Sequence, residues 1–204
     1  MREKTTAYVL LGALATGGPM TGYDIRAWID RVVGRFWSES FGQIYPELRR
    51  LAGEGLITQA GGPGEGRDGR PYRITPAGRG ALVAWLGRAP RPERARSEIL
   101  LKLFLGRFLG ADTARGFLEA ARDAAAARQR ALAEDARAAR ADARLSGEDR
   151  VFALLVAGRG LAAARADRAW AEHGLAVVEA LAEGGPDAAL ALWDGEIAAG
   201  LGVA

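Results

Sequence analysis

Apolar residues run almost without interruption through Thr5–Thr16, where Tyr8, Val9, Leu10, Leu11 and Leu14 leave no polar face, so the chain opens on a buried helix. Gly17-Gly18-Pro19 ends it. Ile25, Ile29 and Val32-Val33 then form a helical stripe that reaches about Gly34. Thr21, three residues ahead of Asp24, has the spacing of a capping box at its start. Ser40 and Gln43 repeat that spacing and open a third helix, about Phe41–Glu54. Its core stripe is Ile44, Leu48 and Leu51; Gln43, Glu47 and Arg50 lie on another face, with Tyr45 and Arg49 at the margin. Pro46 lies inside this helix and removes a backbone donor, which predicts a bent first turn.

After Gly55 the period shortens to two. Leu56–Ala60 and Arg70–Thr75 read as strands flanking a long tip, Gly61–Gly69. Thr75-Pro76 is an N-cap followed by proline at the first helical position, and a fourth helix runs to about Leu86. Three helices, two strands and a helix, in that order, are the elements of a winged helix-turn-helix.

Pro90-Arg91-Pro92-Glu93 reads as a linker, and the rest of the chain is helical. Glu98–Leu109 is short and strongly apolar. Asp112 is placed as the cap of a long, alanine-rich helix to about Leu145, broken by Ser146-Gly147. A further helix over about Glu148–Glu183 carries Phe152, Leu155, Ala162, Ala166, Trp170, His173 and Val177 near a 3.5-residue repeat. A helix this long overshoots a compact domain of about 110 residues, whose radius of gyration is about 13 Å. Its outer part needs another surface, most simply the same helix of a second subunit. The expected fold is therefore mainly α: a winged helix-turn-helix domain over 1–89 with a two-stranded wing, a linker at 90–96, and a long-helix dimerisation domain over 97–183. Residues 184–204 remain as a tail that is either loose or weakly helical through Leu190–Ile197.

Composition narrows the chemistry. The 204 residues contain no cysteine and one histidine, His173, which excludes thiol nucleophiles and cysteine zinc sites and leaves little room for a histidine-based metal site or a Ser-His-Asp triad. No cofactor and no enzymatic activity are expected. Residues 1–90 hold 12 basic and 8 acidic side chains, net +4, whereas 91–204 hold 16 and 17, net −1. A basic front half suggests an anionic partner and a neutral rear half a protein partner. Met1-Arg2-Glu3-Lys4 ahead of Ala7–Ala15 imitates a secretory leader, but the apolar run is short for one and far too short for a membrane span. The expectation is a cytoplasmic protein with no membrane partner.

Gly64-Glu65-Gly66-Arg67-Asp68-Gly69 matches a dinucleotide fingerprint in letters, yet that motif needs a helix directly after it, and Arg70–Ile74 reads as a strand. The glycines suit a wing tip whose Arg67 and Arg70 approach phosphates. Gln43, Tyr45, Arg49 and Arg50 on the third helix offer an amide, a phenol and two guanidinium forks, groups that read base edges or grip phosphates in a major groove. The alternative is an ordinary solvated helix face. His173 reads as a packed or interface residue, and the five tryptophans, Trp28, Trp37, Trp85, Trp170 and Trp193, read by default as core anchors. Trp170 could instead line a cavity.

Tyr8–Leu14 (YVLLGAL), Thr21–Ile25 (TGYDI), Gln43–Leu51 (QIYPELRRL), Glu54–Ile57 (EGLI) and Tyr72–Gly78 (YRITPAG) resemble, in order, the motifs of the PadR family of transcriptional regulators. The resemblance is close over about residues 5–87. It is looser in the rear half, which is similar to the helical dimerisation domain of the larger PadR subfamily, with Gly158 and Trp170 at positions that often hold glycine and tryptophan; the 184–204 tail departs from the usual ending. The resemblance implies a homodimer on an inverted-repeat operator in double-stranded DNA, usually a repressor released by a small aromatic or lipophilic effector. It implies phosphate contact by Tyr45 and recognition-helix or wing roles for Gln43, Arg49, Arg67 and Arg70; Ser40, Arg50 and Arg73 complete the expected DNA-binding set. Apolarity alone offers Phe104, Phe108 and Trp170 for an effector pocket. The rival reading is an effector-binding or scaffold dimer without sequence-specific DNA binding.

Overall fold

The computed structural model describes residues 5–34, 36–37, 41–59, 70–90, 96–108 and 110–200. The chain divides into two compact units, Met1–Glu93 and Arg94–Ala204.

In the first unit, α1 (Thr5–Gly17) places Leu10, Leu11 and Leu14 at the centre of a core shared with Ile25, Ile29, Ile44, Leu48, Leu51, Ile57 and Ile74. Its near-uniform apolarity matches that central place. Helix α2 (Gly22–Trp28) carries the expected capping box: the Thr21 hydroxyl accepts from the Asp24 N–H at 3.1 Å, and the Thr21 N–H donates to the Asp24 carboxylate at 3.1 Å. The helix expected to about Gly34 does continue to Val33, but its last part, Ile29–Val33, is π-helical. Helix α3 (Phe41–Gly53) runs through Pro46 as one element. Its end is a Schellman motif: Gly55 takes φ 70°, the Leu56 N–H donates to the Leu51 carbonyl and the Gly55 N–H to that of Ala52.

Strands β1 (Ile57–Gln59) and β2 (Tyr72–Ile74) pair antiparallel, with Ile57 opposite Ile74. Both are shorter than expected. On its other edge β2 exchanges two backbone hydrogen bonds between Tyr72 and Met20, which ties the α1–α2 turn to the wing. Thr75 caps α4 (Pro76–Leu86), which has Pro76 at its start as expected, and the Trp85 ring stacks on Tyr8 of α1 at 4.6 Å.

Thr21→Ala should destabilise the first unit by about 1 kcal/mol through loss of the cap, measured by urea unfolding at pH 7. The Thr21 hydroxyl and backbone N–H hold the Asp24 carboxyl below its ordinary range. A carboxyl whose folded value is depressed stabilises the fold above its unfolded value, and that contribution fades as pH falls through the folded one. Wild type should therefore lose this increment in acid, and Asp24→Asn should not.

The second unit begins with α5 (Glu98–Phe104) and a 3-10 turn, Gly106–Phe108, in place of one helix to Leu109. Helix α6 (Ala111–Ala141) starts from Gly110, at φ 79°, so Asp112 lies in the first turn and is not the cap. It ends four residues before Leu145 because Asp142 leaves helical geometry. The Asp142 carboxylate accepts from the Arg144 backbone N–H and from its guanidinium, which holds the Asp142 carboxyl down at about 2. Ser146 and Asp149 then form an unforeseen capping box at the start of α7 (Gly147–Gly200). Helix α7 continues past Glu183 but reverses at Gly185 (φ 77°), followed by Pro186. The tail is thus helical through Gly200, and Trp193 meets His173 edge to face at 4.7 Å.

Buried positions on α6 recur every seven residues, Leu118, Ala125 and Leu132, and so do those on α7 ahead of Gly185, Ala157, Ala164 and Ala171. A Cβ added to Gly160 would lie 3.0 Å from Leu132, and one added to Gly174 would lie 2.9 Å from Leu118. The two helices are therefore antiparallel, large side chains of one seated on glycines of the other. Ion pairs Arg128–Asp167 and Arg115–Glu179 flank the seam.

Candidate nucleic-acid interface

Burial of Ile44, Leu48 and Leu51 fixes which way α3 faces. Positions 44, 48 and 51 form one stripe against the core, and the helical period then turns Gln43, Pro46, Arg49 and Arg50 outward, all exposed. Tyr45, at the margin, is half-buried. A Cβ added to Gly22 would stand 2.7 Å from the Tyr45 ring and 3.2 Å from its hydroxyl, so Gly22 is the seat of that ring. The Thr21-Gly22-Tyr23 run thus has three tasks: Thr21 caps α2, Gly22 admits Tyr45 of α3, and Tyr23 is left 72% exposed beside them. Sequence reasoning alone misses Tyr23. A large aromatic immediately after a capped glycine, off the Ile25–Ile29 stripe, is the available signal.

Arg49 and Arg50 are adjacent in sequence and differ in circumstance. The Arg50 fork donates from Nε and Nη2 to Glu47 Oε1, at 3.0 and 2.6 Å, and from Nη1 to Glu54. Both carboxylates push its already high pKa further up. Glu47 is only 4% exposed, so this carboxylate faces the guanidinium and not solvent. Both forks are exposed, and they differ in that Arg50 is held between two acids.

On the wing, Arg73 of β2 is exposed opposite Thr58, and Arg70 is half-buried at the entry to β2. Ser40 and Arg67 lie outside the described residues, as does the glycine tip. The tip leads into β2 and not into a helix, so the structural context of a dinucleotide fingerprint is missing. The wing is fastened at its base. The Thr75 hydroxyl donates to the carbonyls of Gly55 and Leu56, and the Gly78 N–H donates to that hydroxyl.

In the second unit Phe104 and Phe108 are 85% and 75% exposed, and Trp170 is half-buried. A groove of about 360 Å³ between α6 and α7 is lined by Gln129, Arg130, Glu134, Arg137 and Arg168, with Ala126 and Ala133, and not by those three aromatics. His173 packs through its ring, and its Nε2 is buried without a hydrogen-bond partner. No described helix is long and apolar enough to cross a membrane.

Residues 10–84 match the model of the PadR-like family of transcriptional regulators, and residues 95–179 match that of the virulence activator alpha C-terminal domain. The negative transcriptional regulator PadR of Bacillus subtilis is 38% identical over 99 residues, 48% of this chain and 54% of that protein. The chain spans about half the length of the curated relatives it matches. Among solved structures, Bacillus subtilis PadR in complex with operator DNA superposes with a TM-score of 0.74 at 29% identity, covering 87% of this chain and 99% of that one. The same protein in complex with p-coumaric acid gives a TM-score of 0.68 at 29% identity, covering 86% and 99%.

Proposed function

We infer that this chain, which belongs to the PadR-like family of transcriptional regulators, is a homodimeric repressor that docks on an inverted-repeat operator and is released by a small aromatic or lipophilic effector. The family is one of regulators and not of enzymes. The observation that carries the reading is the outward face of α3: Gln43 and Arg49 project from a helix whose other side is locked into a core of aliphatic residues. An amide and a guanidinium fork on such a face can pair with base edges, Gln43 with adenine and Arg49 with guanine. Tyr45, whose ring is seated on Gly22, the next residue Tyr23, and Arg73 on the wing are assigned to phosphates. Ser40, Arg67 and Arg70 are assigned to the same backbone from the flanks of α3 and the wing.

Dimerisation is supported by apolar residues of the second unit that the described residues of that unit leave uncovered. Helix α5 buries none of its residues, leaving Leu100, Leu101 and Phe104 exposed, and the first turns of α7 expose Val151, Phe152, Leu155 and Val156. Such a surface calls for a partner, and a second copy would set two α3 helices about 34 Å apart, one turn of duplex DNA. The relative solved with p-coumaric acid supports an effector of that class. Phe104, Phe108 and Trp170 are assigned to its pocket, and a coupling of about 1–3 kcal/mol suffices to release DNA.

Selection of bound duplexes from a random pool should yield a palindrome with half-sites one helical turn apart. Arg49→Ala should weaken binding to that palindrome by about 1–3 kcal/mol with little change in thermal midpoint. An unshifted gel-retardation midpoint would remove Arg49 from base recognition. The modest charge of +3 favours a second reading, a scaffold or effector-binding dimer; no enrichment of any sequence at about 150 mM salt would select it.

A further inference from the structure

The Arg50 site is built in an unusual direction for a helix read as meeting DNA. Three of the five guanidinium N–H groups are directed at carboxylates: two at Glu47, whose carboxylate is nearly inaccessible, and one at Glu54. Carboxylates and phosphates compete for the same fork geometry. The two acids and the guanidinium sum to −1, and α3 together with Glu54 contains Glu47, Glu54, Arg49 and Arg50, net zero. Glu54 also lies just beyond the last turn of α3, where the negative end of the helix dipole disfavours an acid. The guanidinium between the two carboxylates offsets that cost.

We propose that Glu47 and Glu54 occupy Arg50 as internal stand-ins for phosphate, so that Arg50 is a positioning residue of the recognition helix and Glu54 is a specificity residue that weakens binding to non-operator DNA. The inference rests on the DNA-binding reading above. Glu47 and Arg50 are one helical turn apart, so the fork ties the C-terminal half of α3 to itself directly after Pro46. A phosphate approaching this end of the helix meets a cluster with an excess negative charge. Binding there is discouraged unless favourable base contacts through Gln43 and Arg49 repay it. Arg49 is then the cation on α3 that drives counterion release.

The test is the salt dependence of binding to a mixed-sequence duplex of about 30 base pairs, which isolates the electrostatic term. Wild type, Arg50→Gln and Glu54→Gln are compared by fluorescence anisotropy. Glu54 is half-exposed, so its amide variant keeps the fold, whereas the buried Glu47 is left intact. Glu54→Gln should bind the duplex roughly three- to tenfold more tightly at low salt, with a log–log slope steeper by up to about one unit as Arg50 becomes available to a phosphate. Arg50→Gln should leave the slope at its wild-type value. A slope flattened by about 0.9 in Arg50→Gln places that arginine on a phosphate and overturns the inference. So does a Glu54→Gln protein with wild-type affinity and slope, which would make the cluster merely structural. Failure of the underlying reading looks different: wild type itself would bind no duplex even at low salt.

Discussion

Leu48→Ala should cost the amino-terminal unit about 2–5 kcal/mol, the range for removing a leucine from a closed core. Leu48 is fully buried and stands at the middle of the stripe that presses α3 onto α1 and α2. Its deletion leaves a cavity bordered by Ile44, Leu51 and the α1 leucines, which belong to different helices and cannot all close in. For a unit of this size each kcal/mol is about 4–8 °C in midpoint, so thermal unfolding followed by circular dichroism should show a loss above roughly 10 °C. Val83→Ala, on the exposed side of α4, is the matched control and should move the midpoint little. A Leu48→Ala midpoint equal to that control would refute the orientation of α3 on which the interface rests.

Gly78→Val should be as damaging for a different reason. A Cβ at position 78 would stand 2.1 Å from the carbonyl oxygen of Leu56 and 2.9 Å from Ile74 Cγ1. The first obstacle is backbone. That same oxygen receives the Thr75 N–H at 3.1 Å and the Thr75 hydroxyl at 3.0 Å, so it cannot withdraw without releasing the base of the wing. We expect a loss of about 3 kcal/mol or more, at the upper end of overpacking costs, seen as a lowered urea midpoint together with weakened DNA binding. Two residues on, Gly80 sits in the same helix with nothing within 4 Å of an added Cβ. Gly80→Ala should instead stabilise by about 0.5–1 kcal/mol, because alanine loses less backbone entropy in a helix. Opposite signs from two glycines of one helix are what the packing requires; equal effects would contradict it.

The sequence announced the first unit well because its signals are local. Thr21 with Asp24, Thr75 with Pro76 and the Ile44–Leu48–Leu51 stripe each settle a few residues of backbone without reference to the rest of the chain. The long helices were harder. Ser146 and Asp149 have the same spacing as Thr21 and Asp24, yet they stand after an alanine-rich run whose high propensity predicts helix through Leu145. What stops α6 is Asp142 turning back to Arg144, a competition between side chain and helix that periodicity does not register. The helical tail was obscured by Gly184-Gly185-Pro186, which is a reversal between helices and not an end to them. On α3, counting charges gave two arginines. The carboxylates three and four residues away from Arg50 could have been noticed, but only the burial of Glu47 shows that the fork is held.

The spacing of leucines on α6 against glycines on α7 limits how the second unit can transmit a signal. Leu118 and Leu132 are fourteen residues apart, as are their seats, Gly174 and Gly160. Sliding one helix by a heptad, about 10 Å, sets Leu132 against Asp167 in one direction and Leu118 against the same aspartate in the other. Neither neighbouring register has a place for both side chains, so α6 and α7 cannot creep past one another. An effector of the kind proposed above would have to rotate the pair as a single rod or prise it open, with graded shear not among its options.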